Sequence, residues 1–206
     1  MSRSVYVALV RHAPTVWNAE GRAQGRADVP LSAEGRARLA HWRLPPDLVA
    51  LHRRARLGWA VSPLQRAVAT AEALGADGPI LEPRLAERDY GAWTGRHLAE
   101  LEDALATGGW THRPPGGESP ADVLERVRAW LDEMAASPGP PDWVAVTHRG
   151  VIRALVAAAV GWNLCAPEPL RLLPERLHRI RRRGDGLLQL ITLNEPLVSL
   201  DGAGLE

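Results

Sequence analysis

Apolar residues along the chain fall into two rhythms. Short runs at 5–10, 57–61, 79–82, 143–146 and 187–193 are separated by stretches in which apolar positions return every three or four residues. Compact apolar runs bounded by turn residues read as strands, and the longer periodic stretches read as helices. The run at 5–10 is apolar almost throughout, the mark of a strand buried on both faces. Ser32, with Glu34 in the following turn, predicts a helix to about Trp42. Ser62-Pro63 predicts another that stops at Gly75. After an irregular stretch at 85–95, positions 98–106 read as a helix ended by Gly108-Gly109, and Ser119-Pro120 with Asp122 opens a long helix to about Ala136. Positions 151–160 form the next helix, closed by Gly161, and the turn Gly184-Asp185-Gly186 leads into the last strand.

This alternation predicts an α/β fold with three layers, a mostly parallel central sheet with helices on both faces. A chain of 206 residues with 46% apolar content suits a single domain over 1–206. The stretch at about 95–119 interrupts the alternation and is expected to be a small cap insertion over the site.

Composition narrows the function. The formal net charge is +1, so no overall field draws the protein to nucleic acid or to an anionic membrane. Every basic residue is Arg, and without lysine there is no Schiff-base amine, no pyridoxal phosphate anchor and no Walker-type phosphate lysine. The single cysteine, Cys165, excludes an internal disulfide and a cysteine-rich zinc site, which fits a reducing cytoplasm. The run at 5–10 is too short for a secretory leader, and 151–160, interrupted by Arg153, is too short to span a membrane. The expectation is a cytoplasmic protein; a homodimer is left open.

Open parallel sheets bind ligands beyond the carboxyl ends of their strands, and His12 and His148 each stand just after a strand. Ser62 ends the second strand, one turn before Arg66. Two histidines could be zinc ligands, but no third His, Cys or Asp lies at supporting spacing. Covalent chemistry therefore ranks ahead of metal, and no metal is expected.

Five blocks in order carry a family likeness. Val10-Arg11-His12-Ala13-Pro14-Thr15-Val16-Trp17-Asn18 resembles the Arg-His-Gly and Thr-x-x-Asn signature of the histidine phosphatase (phosphoglycerate mutase-like) superfamily. The stretch from Gln24 to Ser32 with Gly35 resembles its loop into the first helix, and Ser62-Pro63-Leu64-Gln65-Arg66-Ala67 its second arginine block. The stretch from Leu85 to Gly95 resembles the acid block, and Val146-Thr147-His148-Arg149-Gly150 with Arg153 the second-histidine block. The likeness spans residues 5 to about 160.

The resemblance implies an enzyme that needs no cofactor and acts on a small phosphomonoester, with His12 as nucleophile and a phosphohistidine intermediate. Arg11 and Arg66 would clamp the phosphoryl oxygens, since planar, permanently charged guanidinium groups match them. His148 would donate to the same oxygens as an imidazolium, and Asn18 and Gln24 would bind substrate. Glu87 would protonate the leaving alkoxide and later accept a proton from water, because a carboxyl beside a dianionic phosphate holds its proton more tightly. Phosphoryl transfer of this kind is mostly positioning and electrostatics.

Plainer readings compete. Arg66 could be solvated, Glu87 could pair with Arg84 or Arg88, and Asn18 could cap a turn. Trp93 and Trp110 lie close enough to the acid block and cap to line a pocket, although core packing is the commoner fate. His41, His52, His97, His112 and His178 match no block, and Arg181-Arg182-Arg183 reads as a solvated strand end rather than a nucleic-acid patch. Ala13 and Pro14 depart from the family pattern; Ala13 costs stability if its position needs φ > 0, and Pro14 removes a backbone donor.

A phosphatase is favoured over a phosphoglycerate mutase with the same His, Arg and Glu set. The mutase branch resembles a longer chain with a lysine and paired arginines in its cap, whereas this cap offers only Arg113. Gly116-Gly117-Glu118-Ser119 looks more like the phosphatase branch, including α-ribazole phosphatases. A catalytically dead binding module would be expected to have lost His12 or Glu87, and both are present.

Overall fold

The computed structural model of the chain describes residues 2–140 and 142–197. Strand β1 (Val5–Arg11) is followed by a one-turn helix α1 (Val16–Ala19), then α2 (Ala33–Leu39), α3 (Pro46–Arg53), β2 (Leu57–Val61), α4 (Gln65–Ala73) and the two-residue β3 (Ile80–Leu81). Three short 3-10 helices (Pro83–Leu85, Gly91–Trp93 and Leu98–Leu101) lead to α5 (Glu102–Thr107) and α6 (Pro120–Ala136). Then come β4 (Asp142–Thr147), α7 (Arg149–Val160), β5 (Arg176–Arg182) and β6 (Leu188–Pro196).

The strands form one six-stranded sheet in the order β3-β2-β4-β1-β5-β6. The first four run parallel, and β5 and β6 add antiparallel to the β1 side. The sheet is thus mostly parallel, as the alternation predicts. Successive side chains of a strand face opposite sides, and the core divides accordingly. Val5, Val7 and Leu9 of β1 pack with Val127, Trp130 and Leu131 of α6 and Ile152 and Leu155 of α7. Ala8 and Val10 pack on the other side with Leu39, Leu48 and Ala67 from α2, α3 and α4.

Several elements differ from expectation for identifiable reasons. The helix expected to open at Ser62-Pro63 begins at Gln65: Leu64 before it is extended, and Asp28 Oδ1 accepts from the Gln65 amide at 2.8 Å. The helix expected over 98–106 is a 3-10 turn followed by α5. Helix α6 holds its predicted range, with Ser119 and Asp122 forming a reciprocal capping box. Helix α3 and strand β5 are additions. In β5 the four arginines mask a strand whose Leu177 and Ile180 are fully buried. Its charges find partners: Arg179 with Asp47 and Glu195, and Arg182 with Asp132 at 2.7 Å. Arg182 is therefore not a solvated strand end; it is buried against α6.

Candidate active site

Strand register assembles the floor of the site. Arg11 lies opposite Thr147 and Val61 opposite Val146, so the next residues, His12, Ser62 and His148, leave the sheet side by side. The ladder continues one step beyond the strands: the His12 amide donates to Thr147 O and the Ser62 amide to Val146 O, both at 3.0 Å. The two imidazole rings end with centroids 5.1 Å apart.

His12 is nearly buried, and its Nδ1 lies 2.8 Å from the carbonyl of Ala13. A carbonyl can only accept, so Nδ1 carries the proton and Nε2 keeps its lone pair. Burial first, then the charges of Arg11 and Arg66, push the His12 pKa well below its ordinary value, which keeps the ring neutral and nucleophilic. The departure at Ala13-Pro14 is absorbed. Ala13 is not among the residues with positive φ, its amide donates to Thr70 Oγ1 at 3.0 Å, and the Pro14 carbonyl accepts from the amide of Ser32.

His148 is fully buried, with Nε2 2.7 Å from Ser62 Oγ. Burial, then His12, Arg66 and Arg11, push its pKa well below the ordinary value. In the free site burial and these charges favour the neutral ring; the imidazolium is the state expected against phosphoryl oxygens, whose negative charge acts in the opposite direction. Nε2 shares its hydrogen bond with the Ser62 hydroxyl and Nδ1 is buried without a partner; the tautomer in which Ser62 donates to Nε2 leaves a proton on Nδ1 for a ligand.

Arg66 is fully buried rather than solvated, and its guanidinium donates to the carbonyls of Ala27 at 2.7 Å and Gly25 at 2.8 Å. Burial lowers the pKa of both Arg11 and Arg66. Arg11 Nε, Arg66 Nε, Gln24 Oε1 and His148 Nδ1 are all buried without a hydrogen-bond partner. Buried polar atoms are normally satisfied, and four such atoms belonging to one cluster mark a place built for a polar ligand. Asn18 serves two ends. Its Oδ1 accepts from the Thr15 amide at 3.0 Å as a cap, while the residue also lines the cavity.

Glu87 is buried and holds to the first turn of α7. The Gly150 amide donates to its two oxygens at 3.1 and 3.2 Å, and the Arg88 amide to Oε1 at 2.7 Å. Its plainer partners are engaged elsewhere: Arg84 pairs with Glu82 and Glu133, and the Arg88 guanidinium donates to the carbonyls of Glu118 and His112.

His12, Arg11, Asn18, Gln24, Arg66 and Glu87 line one cavity of about 560 Å³, with His148 beneath it against His12. A neutral imidazole, two buried guanidinium groups and a carboxyl group around one space form a set able to bind an anion, attack it and move a proton. Among the described residues no cluster of three or more His, Cys, Asp and Glu side chains is suited to a metal ion.

Comparison with known proteins agrees with this geometry. Residues 7–195 match the model of the histidine phosphatase superfamily, branch 1. The chain belongs to the histidine phosphatase superfamily. It is 34% identical over 193 residues to a probable phosphoglycerate mutase GpmB of Enterobacter sp. (strain 638), covering 84% of this chain and 83% of that one. It is 33% identical over 171 residues to phosphoserine phosphatase 1 of Hydrogenobacter thermophilus, 78% of each chain. The fold is similar to that of a mycobacterial glucosyl-3-phosphoglycerate phosphatase solved with VO3, with a TM-score of 0.72 and 27% identity, over 94% of this chain and all of that one.

The outer part of this histidine phosphatase's cavity comes from residues that sequence reasoning left without a role. Leu98, Leu105 and Ala106 arrive from the 95–119 segment, and Trp162, Leu164 and Glu168 from the stretch after α7. Tyr90, Arg149 and Arg153 also line it; all three lie in or beside the motif blocks, which was the available signal. Neither Trp93 nor Trp110 lines the cavity. Trp93 faces His112 at 5.3 Å, and Trp110 packs against the core and donates from Nε1 to the carbonyl of Trp162 at 3.1 Å.

Proposed function

We propose that the protein is a phosphatase of phosphomonoesters that works through a phosphohistidine on His12. The observation that carries this reading is the unprotonated Nε2 of a neutral His12 set between the buried guanidinium groups of Arg11 and Arg66. In the first step Nε2 attacks phosphorus in line with the ester oxygen, the P–O bond breaks, and Glu87 gives its proton to the departing alkoxide. In the second, water attacks the phosphohistidine, Glu87 takes the water's proton, and the P–N bond breaks to release inorganic phosphate and neutral His12.

Arg11, Arg66 and the Nδ1–H of His148 hold the three equatorial oxygens, where charge concentrates in the transition state. Asn18 and Gln24 add neutral contacts on the same group. None of these steps requires a metal. The segment at 95–119 acts as a cap, carrying specificity rather than chemistry.

A phosphate-release screen over phosphomonoesters, run beside a 3-phosphoglycerate to 2-phosphoglycerate assay, tests the reading. Phosphate release that disappears in His12→Ala supports it. Mutase turnover without phosphate release would overturn the hydrolase assignment in favour of an isomerase with the same site.

A further inference from the structure

The outer half of the cavity has a character the phosphoryl chemistry does not need. A volume of about 560 Å³ lies in the range of cavities that enclose whole organic ligands. Its outer wall is apolar, formed by Leu98, Leu105 and Ala106 on one side and Trp162 and Ala166, backed by buried Leu164, on the other. Apolar surface facing water is unfavourable in proportion to its area, so a concave apolar wall is where a ligand gains most by being covered.

The wall is held open by its own hydrogen bonds. The Leu98 amide donates to Gly21 O at 2.7 Å, which ties the start of the 95–119 segment to the loop before the site. The Ala166 amide donates to Ala106 O at 2.9 Å and Trp110 Nε1 to Trp162 O at 3.1 Å, which joins the two sides to each other.

The charges around the wall point the same way. Arg153 is occupied by Glu168 at 3.2 Å, by the carbonyl of Leu164 at 3.3 Å and by the face of Trp162, 4.6 Å from its guanidinium carbon. Arg22 is occupied by Glu20 at 2.7 Å and by Gly95 O at 2.9 Å. Arg149 stands at the phosphoryl end, between His148, which packs against His12, and Gly150, whose amide donates to Glu87. Glu102, exposed on α5, adds a negative charge beside the wall. The cations not already engaged thus gather at the phosphoryl end, and the wall offers a second anionic group none.

We infer that the substrate is a phosphomonoester whose alcohol is bulky, mainly apolar and free of a second negative charge. A small phosphorylated acid would leave the wall uncovered and place its carboxylate near Glu102. This inference rests on the phosphatase reading and narrows it.

The test is kcat/KM for primary alkyl phosphates of matched chemistry: n-hexyl and 2-phenylethyl phosphate against glycerol 3-phosphate, phosphoserine and 3-phosphoglycerate. The expected result is a preference of at least tenfold for the first pair, and a ratio of n-hexyl to glycerol phosphate that falls at least fivefold in Leu105→Asp. Ala99→Asp, at an exposed position of the same lining, is expected to lower the ratio in the same direction and serves if the first variant does not fold. Phosphate release with equal or reversed preference overturns the inference and leaves the phosphatase reading standing. No His12-dependent release from any ester overturns both.

Discussion

The floor and the outer wall of the cavity are built in opposite ways. The floor is rigid and polar: His12, Ser62 and His148 leave three neighbouring strands in register, and their hydrogen bonds run to backbone and buried side chains. The wall is apolar and comes from two segments, at 98–106 and 162–168, that meet through a few backbone hydrogen bonds. The difference teaches where each kind of specificity resides. Phosphoryl chemistry needs fixed charges, which a sheet edge supplies; selection among alcohols needs only shape and apolar area, which loops can vary without disturbing the chemistry.

Removing the nucleophile tests the floor most severely. His12→Ala is expected to lower kcat/KM by about ten-thousandfold, since the substitution abolishes the covalent route altogether. Protein quenched in alkaline SDS, where the acid-labile P–N bond survives, from a reaction with substrate labelled in the phosphoryl group should carry label in the wild type and none in the variant. A labelled His12→Ala protein would move the nucleophile elsewhere.

The second prediction separates proton transfer from phosphate binding. A Cβ on Gly150 would come within 2.3 Å of Glu87 Oε1, and the carboxylate can swing aside because it ends a flexible side chain. Gly150→Ala should therefore fold with a Tm close to wild type while losing about a hundredfold in kcat/KM on alkyl phosphates, the usual worth of a positioned general acid. p-Nitrophenyl phosphate, whose leaving group departs without a proton, should lose far less. Equal losses on both substrates would remove Glu87 from the acid role.

The same contrast explains what the sequence made legible. His12 and His148 each follow an apolar run, and Arg11, Arg66 and Glu87 could be named because their short contiguous blocks resemble those of the histidine phosphatase superfamily. Their protonation could not: the neutral state of His148 depends on burial and on Arg66 and Arg11, which lie far away in the chain. The 98–106 side of the wall falls in the segment expected as a cap, but the facing side at 162–168 was hidden because it arrives only when α7 packs and the stretch after it folds back. Trp162 was overlooked in favour of Trp93 and Trp110, which stand nearer the motif in sequence but not in space. Strand β5 was missed because four arginines conceal Leu177 and Ile180; Asp47 and Glu195 pair with Arg179, and Asp132 with Arg182.

Acid should destabilise the fold through its buried histidines. The pKa values of His12 and His148 in the folded protein lie well below their ordinary value. As pH falls through about 6.5 the unfolded chain takes up protons that the folded one does not, so stability declines with acidification and is insensitive to these groups above that range. Between pH 7.5 and 5.5 the two together should cost about 3 kcal/mol of unfolding free energy, read from urea midpoints, and buried His178, pushed down to about 4, should add about half as much again. His12→Asn should lose about a third of the measured drop, and a variant with the full drop would show that His12 is not buried neutral.

The smallest effect probes the place where floor and wall meet. Glu118 lies at the end of the 95–119 segment, yet its contacts belong to the floor. One oxygen accepts from Arg26 at 2.9 Å, between the two residues whose carbonyls hold Arg66. The other accepts from the Asp89 amide at 3.0 Å and from Arg126 at 3.0 Å, and Arg126 in turn donates to the carbonyls of Arg84 and Glu87. A single carboxylate thus joins the loop behind the phosphate clamp to the segment that carries the proton donor. Glu118→Gln keeps the shape and weakens both charged contacts, so the expected loss in kcat/KM is about tenfold on alkyl phosphates, in keeping with one or two charge-assisted hydrogen bonds. If Glu118 positions Glu87, the loss should shrink on p-nitrophenyl phosphate and return toward wild type in Glu118→Asp. If it only supports the wall, the n-hexyl to glycerol phosphate ratio should change instead, and the leaving-group dependence should stay as in the wild type.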